Sequence, residues 1–198
     1  MGFLCCLGLS LNTSSLGALL LSLLKFIGFL KMLELIYRLV WTFRRNQRTT
    51  AHLTERYGRG SWAVITGGSD GIGLAMAKEL ARRQFNIVIV GRSQAKMEEA
   101  ARDIKAVRAE AQVRLVEFDF TKTANSHSVE DYQKGIVDKI NDLDISLLVN
   151  NAGYLVPGDF ERVPIEEHKN MLAVGIMTAT MLTKLLTDKM ITRATGGA

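Results

Sequence analysis

This sequence predicts a doubly wound α/β domain built on a parallel sheet, preceded by an N-terminal segment of membrane character. Three observations predict it. From Ser61 onward, short runs of β-forming residues alternate with amphipathic helical stretches. The first run ends in a glycine-rich turn, Thr66-Gly67-Gly68-Ser69-Asp70-Gly71-Ile72-Gly73, that opens a helix. At the other end of the chain, no side chain from Met1 to Leu24 is charged.

The elements follow in order. SWAVIT (Ser61–Thr66) is a short apolar strand stopped by glycine. GLAMAKELARR (73–83) carries Leu74, Ala77, Leu80 and Ala81 on one helical face. NIVIVG (86–91) is a second strand, and AKMEEAARDIKAVRAE (95–110) a second helix. VRLVEF (113–118) is a third strand, SVEDYQKGIVDKIND (128–142) a helix, and ISLLVN (145–150) a fourth strand. A long helix with an apolar side runs from Ile165 to Ile191. Strict β-α alternation requires crossover connections, and hence parallel strands with right-handed crossovers.

The first 43 residues read as a hydrophobic and amphipathic membrane segment. LGALLLSLL (16–24) is almost continuously apolar. Beyond it, Lys31, Glu34 and Arg38 fall on one narrow helical face among Phe, Ile, Leu and Trp residues, and Glu34 and Arg38 are spaced i,i+4. A basic linker follows at residues 44–60, with Arg44, Arg45, Arg48, Arg56 and Arg59. Positive charge beside an apolar span stays on the cytoplasmic side, so the α/β part (residues 61–198) is expected to face the cytosol. One span, two spans and surface attachment all remain open, because Asn12–Ser15 and Lys25 interrupt the apolar run. A cleaved signal peptide is a further reading, but MGFLCC holds no Lys or Arg. Cys5 and Cys6 are acylation candidates or unmodified thiols; as neighbours they cannot staple a core.

Charge and composition exclude several classes. The chain of 198 residues has 25 Lys+Arg against 20 Asp+Glu. Residues 1–60 hold eight basic and two acidic side chains, and residues 61–198 hold 17 and 18. The positive excess therefore lies wholly in the first 60 residues, and a near-neutral remainder gives no pull on a phosphate backbone, so no nucleic-acid partner is expected. No metal is expected either: His52, His127 and His168 are far apart and away from Cys5 and Cys6.

The glycine loop carries the strongest chemical signal. Gly67 lets the chain turn sharply off the strand, Gly71 lets a pyrophosphate approach the backbone, and Gly73 lets helix and strand pack closely. The helix start then offers N–H groups and the positive end of a dipole to phosphate.

TGGSDGIG (66–73) together with NNAG (150–153) resembles the short-chain dehydrogenase/reductase family, whose pattern is TGxxxGxG followed by NNAG after strand four. The likeness covers about residues 60–198. With the N-terminal segment and YGRGSWAVITGGSDGIG (57–73), it is similar to the membrane-bound 3-oxoacyl-CoA reductase and 17β-hydroxysteroid dehydrogenase group. The resemblance implies a Rossmann-type sheet of order 3-2-1-4, with Thr66, Gly67, Gly68, Ser69, Asp70, Gly71, Ile72 and Gly73 around a dinucleotide. It further implies Asp119 at the adenine amino group, and Asn150, Ala152 and Gly153 bracing the sheet and lining the adenosine site. An endoplasmic reticulum membrane location, a lipid carbonyl substrate and a homodimer through the helix 165–191 are also implied.

Cofactor choice has a physical argument. An NAD enzyme places a carboxylate at the end of strand two, on the ribose 2′-hydroxyl. Here that end reads Val90-Gly91-Arg92-Ser93. Gly91 leaves room for a 2′-phosphate, Arg92 can pair with it, and Ser93 adds a hydroxyl, so NADP(H) is expected.

No catalytic residue is assigned. The family protonates its carbonyl with a Tyr whose partner Lys lies four residues on. Four residues beyond Tyr37, Tyr57, Tyr132 and Tyr154 stand Trp41, Ser61, Ile136 and Gly158. The family's catalytic Ser lies on a fifth strand, which these residues do not reach, and Gly175 stands where its long helix carries Asn. Two function classes stay open. One is an NADPH-dependent lipid-carbonyl reductase, active in a longer form. The other is a shortened or degenerate relative that binds nucleotide or a partner without catalysis.

Overall fold

A computed structural model describes residues 13–124 and 128–193. Cys5, Cys6 and His127, singled out above, lie outside these residues, as does Asn12. By its internal contacts the chain divides into two compact units, Met1–Thr50 and Ala51–Ala198.

Within the first unit the backbone is helical from Thr13, as part of α1 (Thr13–Tyr57). Glu34 accepts from Lys31 at 2.9 Å and from Arg38 at 2.7 Å, which places the three on one helical face as their spacing requires. The apolar side chains around them, including Leu24, Phe26, Phe29, Leu35 and Trp41, are exposed. The helix continues through the arginine-rich stretch that the sequence reading treats as a linker. RRNQRTTAHLTERY contains neither Gly nor Pro, and Gly58 is the first residue after it with a left-handed φ, +87°.

The second unit holds the sheet, with β1 (Trp62–Thr66), β2 (Asn86–Gly91), β3 (Val113–Glu117) and β4 (Ile145–Val149). All pairings are parallel and the order is β3-β2-β1-β4. Helices α2 (Gly71–Arg82) and α3 (Gln94–Val107) follow the first two strands. A 3-10 turn at Phe120–Ala124 follows β3, and then α4 (Val129–Tyr132), which runs on through a π turn (Gln133–Val137) and a 3-10 turn (Asp138–Ile140). After β4 come α5 (Ile165–Leu172), a second π turn (Ala173–Met177) and α6 (Thr178–Ile191).

Strand side chains alternate between two cores, as the period of two demands. Trp62, Val64, Val88 and Val90 pack with Tyr132, Ile136, Leu182 and Leu186 on one face. Ala63, Ile65, Ile87 and Ile89 pack with Ala77, Ala81, Met97 and Ile104 on the other. Burial on both faces explains why β1 and β2 are near-continuous apolar runs. In β4 only Ile145 and Ser146 are fully buried, because strand order leaves β4 at an edge among the described residues.

Among the described residues, Ile165–Ile191 is the one helical stretch long and apolar enough to cross a membrane. Its apolar stripe has another use, since Val174, Leu182, Leu186 and Met190 are buried against the sheet. The helix end is tied down by Arg193, which donates to both carboxylate oxygens of Asp144 at 2.6 and 2.7 Å and to the Tyr57 carbonyl at 3.0 Å.

Candidate functional site

At the C-terminal edge of the sheet, the loops after β1, β2, β3 and β4 enclose a cleft of about 600 Å³. Parallel sheets place ligand clefts at this edge, at the point where the strand order reverses, here between β1 and β4.

The loop after β1 is shaped by backbone constraints. Gly67 has φ +66°, and its N–H continues the ladder to the Val90 carbonyl at 2.8 Å. A Cβ at Gly73 would stand 2.3 Å from the Gly67 carbonyl oxygen and 2.5 Å from Asn151 Nδ2, so α2 can approach the loop only with glycine there. Gly71, at φ +52°, faces open space at the start of α2. Asp70 caps that helix, its carboxylate accepting from the Gly71 N–H at 2.7 Å. A glycine required by close packing and an open approach to a helix N-terminus together fit the phosphates of a dinucleotide.

The loop after β4 is locked onto the first. Thr66 Oγ1 accepts from the backbone N–H groups of Asn151 and Ala152, each at 3.0 Å. Asn151 Nδ2 donates to the Thr66 and Gly67 carbonyls, both at 3.1 Å. The two asparagines therefore do different work. Asn150 is exposed and donates to Thr183 Oγ1 at 3.1 Å, apart from the residues that line the cleft. Asn151, which the sequence reading left out, is the brace.

The other expected residues separate in the same way. Gly67, Ser69, Asp70, Arg92, Ser93, Asp119, Ala152 and Gly153 line the cleft. Thr66, Gly68, Gly71, Ile72 and Gly73 do not; they shape the loop, and the Ile72 side chain is exposed. Gly91 and Val174 also line it, the latter beside Gly175 in the π turn. At that turn Thr178 Oγ1 reaches back five residues to the Ala173 carbonyl, and a Cβ at Gly175 would meet open space. The Asp119 carboxylate accepts from the Thr121 N–H and hydroxyl at 3.1 and 2.8 Å.

At the end of β2 the cleft wall carries Gly91, Arg92, Ser93 and Lys96, with no carboxylate on that strand end. Ser93 caps α3. Lys96, in the first turn of α3, forms an ion pair with Asp70 at 3.2 Å. The ammonium and the Gly71 N–H both hold the Asp70 carboxyl below its usual range, Lys96 contributing most. In the sequence, the one signal that Lys96 carries is its place three residues beyond the helix cap Ser93. Across the cleft, Tyr154 donates to Glu167 at 2.8 Å, and this bond, with some desolvation, raises the Tyr154 hydroxyl pKa. Asn170 donates to the same Glu167 at 3.3 Å.

Comparison with known proteins places this geometry. Residues 61–198 match the family model described as short chain dehydrogenase. The chain is 36% identical over 140 residues to a very-long-chain 3-oxoacyl-CoA reductase of Coccidioides immitis, covering 70% of this chain and 39% of that protein. It is 33% identical over 178 residues to a very-long-chain 3-oxoacyl-CoA reductase of Caenorhabditis elegans, covering 85% and 54%. A putative steroid dehydrogenase of the same organism is 36% identical over 140 residues, covering 69% and 43%. The chain thus spans about two fifths to one half of the length of these relatives. Among solved structures, L-sorbose reductase from Gluconobacter frateurii, complexed with NADPH and L-sorbose, superposes with a TM-score of 0.58 at 30% identity, covering 69% of this chain and 49% of that one. A metagenomic short-chain oxidoreductase in complex with NADP gives 0.58 at 26% identity, covering 70% and 60%. With its interlocked glycine and NNAG loops and a family match across the whole α/β part, the chain belongs to the short chain dehydrogenase family.

Proposed function

We propose that the chain binds NADP(H) in the cleft at the sheet edge, as the dinucleotide-binding part of an oxidoreductase acting on a lipid carbonyl. The carrying observation is the end of β2, where Arg92, Ser93 and Lys96 line the cleft and no carboxylate stands against a 2′-phosphate. The pyrophosphate would lie by the loop that opens α2, against Gly67 and Ser69. Asp119 and Ala152 would flank the adenosine, and Gly153 the continuing ribose. When bound, the nicotinamide would supply a hydride to the carbonyl carbon, or take one from the carbinol carbon of the corresponding alcohol. The residues of this chain bind and orient; none of the four Tyr residues has a Lys four positions on, so none is assigned as the proton donor.

A 3-oxoacyl-CoA or a ketosteroid is the substrate class this reading favours, on the likeness to reductases and steroid dehydrogenases with those names. The exposed apolar side chains of α1 and the arginines in its C-terminal part support attachment to the endoplasmic reticulum membrane, with the α/β unit in the cytosol. Such attachment would bring the site to a water-poor substrate.

Calorimetric titration of Arg92→Ala tests the cofactor assignment. Loss of a charge-assisted contact should weaken NADPH by about 1–3 kcal/mol and leave NADH nearly unaffected. Equal losses for both would show that Arg92 does not read the phosphate.

A further inference from the structure

Asp70 stands in an unexpected place for a cleft that receives phosphate. It lines the same cavity as Arg92, Ser93 and Lys96, and it brings a negative charge to the start of a helix whose dipole attracts anions. Its two carboxylate oxygens have separate partners. Oδ1 accepts from the Gly71 N–H at 2.7 Å and caps α2. Oδ2 accepts from Lys96 Nζ at 3.2 Å, across 26 residues of sequence. Capping needs only one neutral oxygen, and Asn serves at such a position as well as Asp. The charge and the second oxygen therefore call for another explanation than the cap.

Lys96 is the group that this second oxygen engages. The pair is exposed, 61% for the Lys side chain and 75% for the Asp, so it contributes little to stability and exchanges partners readily. An anion bound by Lys96 has to take the ammonium away from Asp70 or share it.

We propose that Asp70 is a specificity-determining residue, whose carboxylate competes with the 2′-phosphate of NADP(H) for the Lys96 ammonium and so limits the preference of the cleft for NADPH over NADH. The inference rests on the proposed NADP(H) reading. Lys96 is held over the cleft by Asp70 in the ligand-free protein and passes to the phosphate when the cofactor arrives. NADH has a hydroxyl at that position, gains nothing from Lys96 and leaves the ion pair in place.

The test is a set of calorimetric titrations of the full chain and of Asp70→Asn, Lys96→Gln and the double variant, each with NADPH and with NADH. Asp70→Asn keeps an oxygen for the Gly71 N–H but cannot accept a cation in the same way, so it separates the charge from the cap. Unchanged thermal melting of the ligand-free variant checks this. The expected result is NADPH affinity raised by about fivefold at low salt, with NADH changed less than twofold. In the Lys96→Gln background the gain should fall below twofold. Equal gains with and without Lys96 would mean direct repulsion and would overturn the competition. No gain in a chain that still prefers NADPH would remove the role of Asp70 and leave the NADP(H) reading standing. A wild-type chain without preference for NADPH would overturn both.

Discussion

Thr66 and Asn151, 85 positions apart, are joined by two hydrogen bonds, both donated by Asn151: its N–H to the Thr66 hydroxyl at 3.0 Å, and its Nδ2 to the Thr66 carbonyl at 3.1 Å. The hydroxyl is nearly fully buried and takes the Ala152 N–H as well. This is the joint between the two loops that form the cleft floor.

Replacement of that hydroxyl should be costly. Thr66→Val keeps the shape but leaves the Asn151 and Ala152 N–H groups without their acceptor, a loss of about 1–3 kcal/mol. Thr66→Ser should recover most of it. Urea denaturation of the two variants reads the difference, and equal midpoints would contradict the role of the hydroxyl.

Gly73→Ala should be more disruptive than Gly175→Ala. The first Cβ meets a backbone oxygen at 2.3 Å, which cannot yield without moving the loop, while the second meets open space. Overpacking of this kind costs about 1–3 kcal/mol, whereas the second change should be neutral or stabilising. Thermal melts of both variants check the order.

The Asp144–Arg193 pair makes a pH-dependent contribution. Hydrogen bonding to Arg193, opposed by desolvation, lowers the Asp144 carboxyl below its ordinary 3.8. A depressed carboxylate stabilises the fold above its unfolded value and loses that contribution as pH falls through the folded value. Since the Asp side chain is 63% exposed, the gain is small, under about 1 kcal/mol. Asp144→Asn should therefore unfold at lower urea than the wild type at pH 7, with the gap closing below about pH 4. A gap that is constant with pH would contradict this account.

Carbonate washing of membranes from cells expressing the chain should leave it in the pellet. The exposed apolar side chains of α1 motivate this expectation. Recovery in the wash would rule out an integral anchor.

Much of the architecture was legible in the residues, for identifiable reasons. Strands buried on both faces must be apolar throughout, so WAVIT and NIVIV stand out, and the glycine spacing marks where a helix meets a loop at close range. What escaped depends on tertiary contacts. Periodicity cannot tell that Asn151 rather than Asn150 turns inward, nor that Lys96 meets Asp70 across two loops. The π turns at Gln133–Val137 and Ala173–Met177 were hidden too, because one extra residue in a turn leaves the apolar pattern almost intact. Helix α1 runs on through the basic stretch, since charge alone does not end a helix.

Direct titration of the unmodified 198-residue chain with NADPH and NADH tests whether the cleft reads a 2′-phosphate. The account predicts that NADPH binds at least about tenfold more tightly, the worth of one charge-assisted contact, and that the margin narrows as salt screens Arg92 and Lys96. Equal affinities, or tighter binding of NADH, would contradict it.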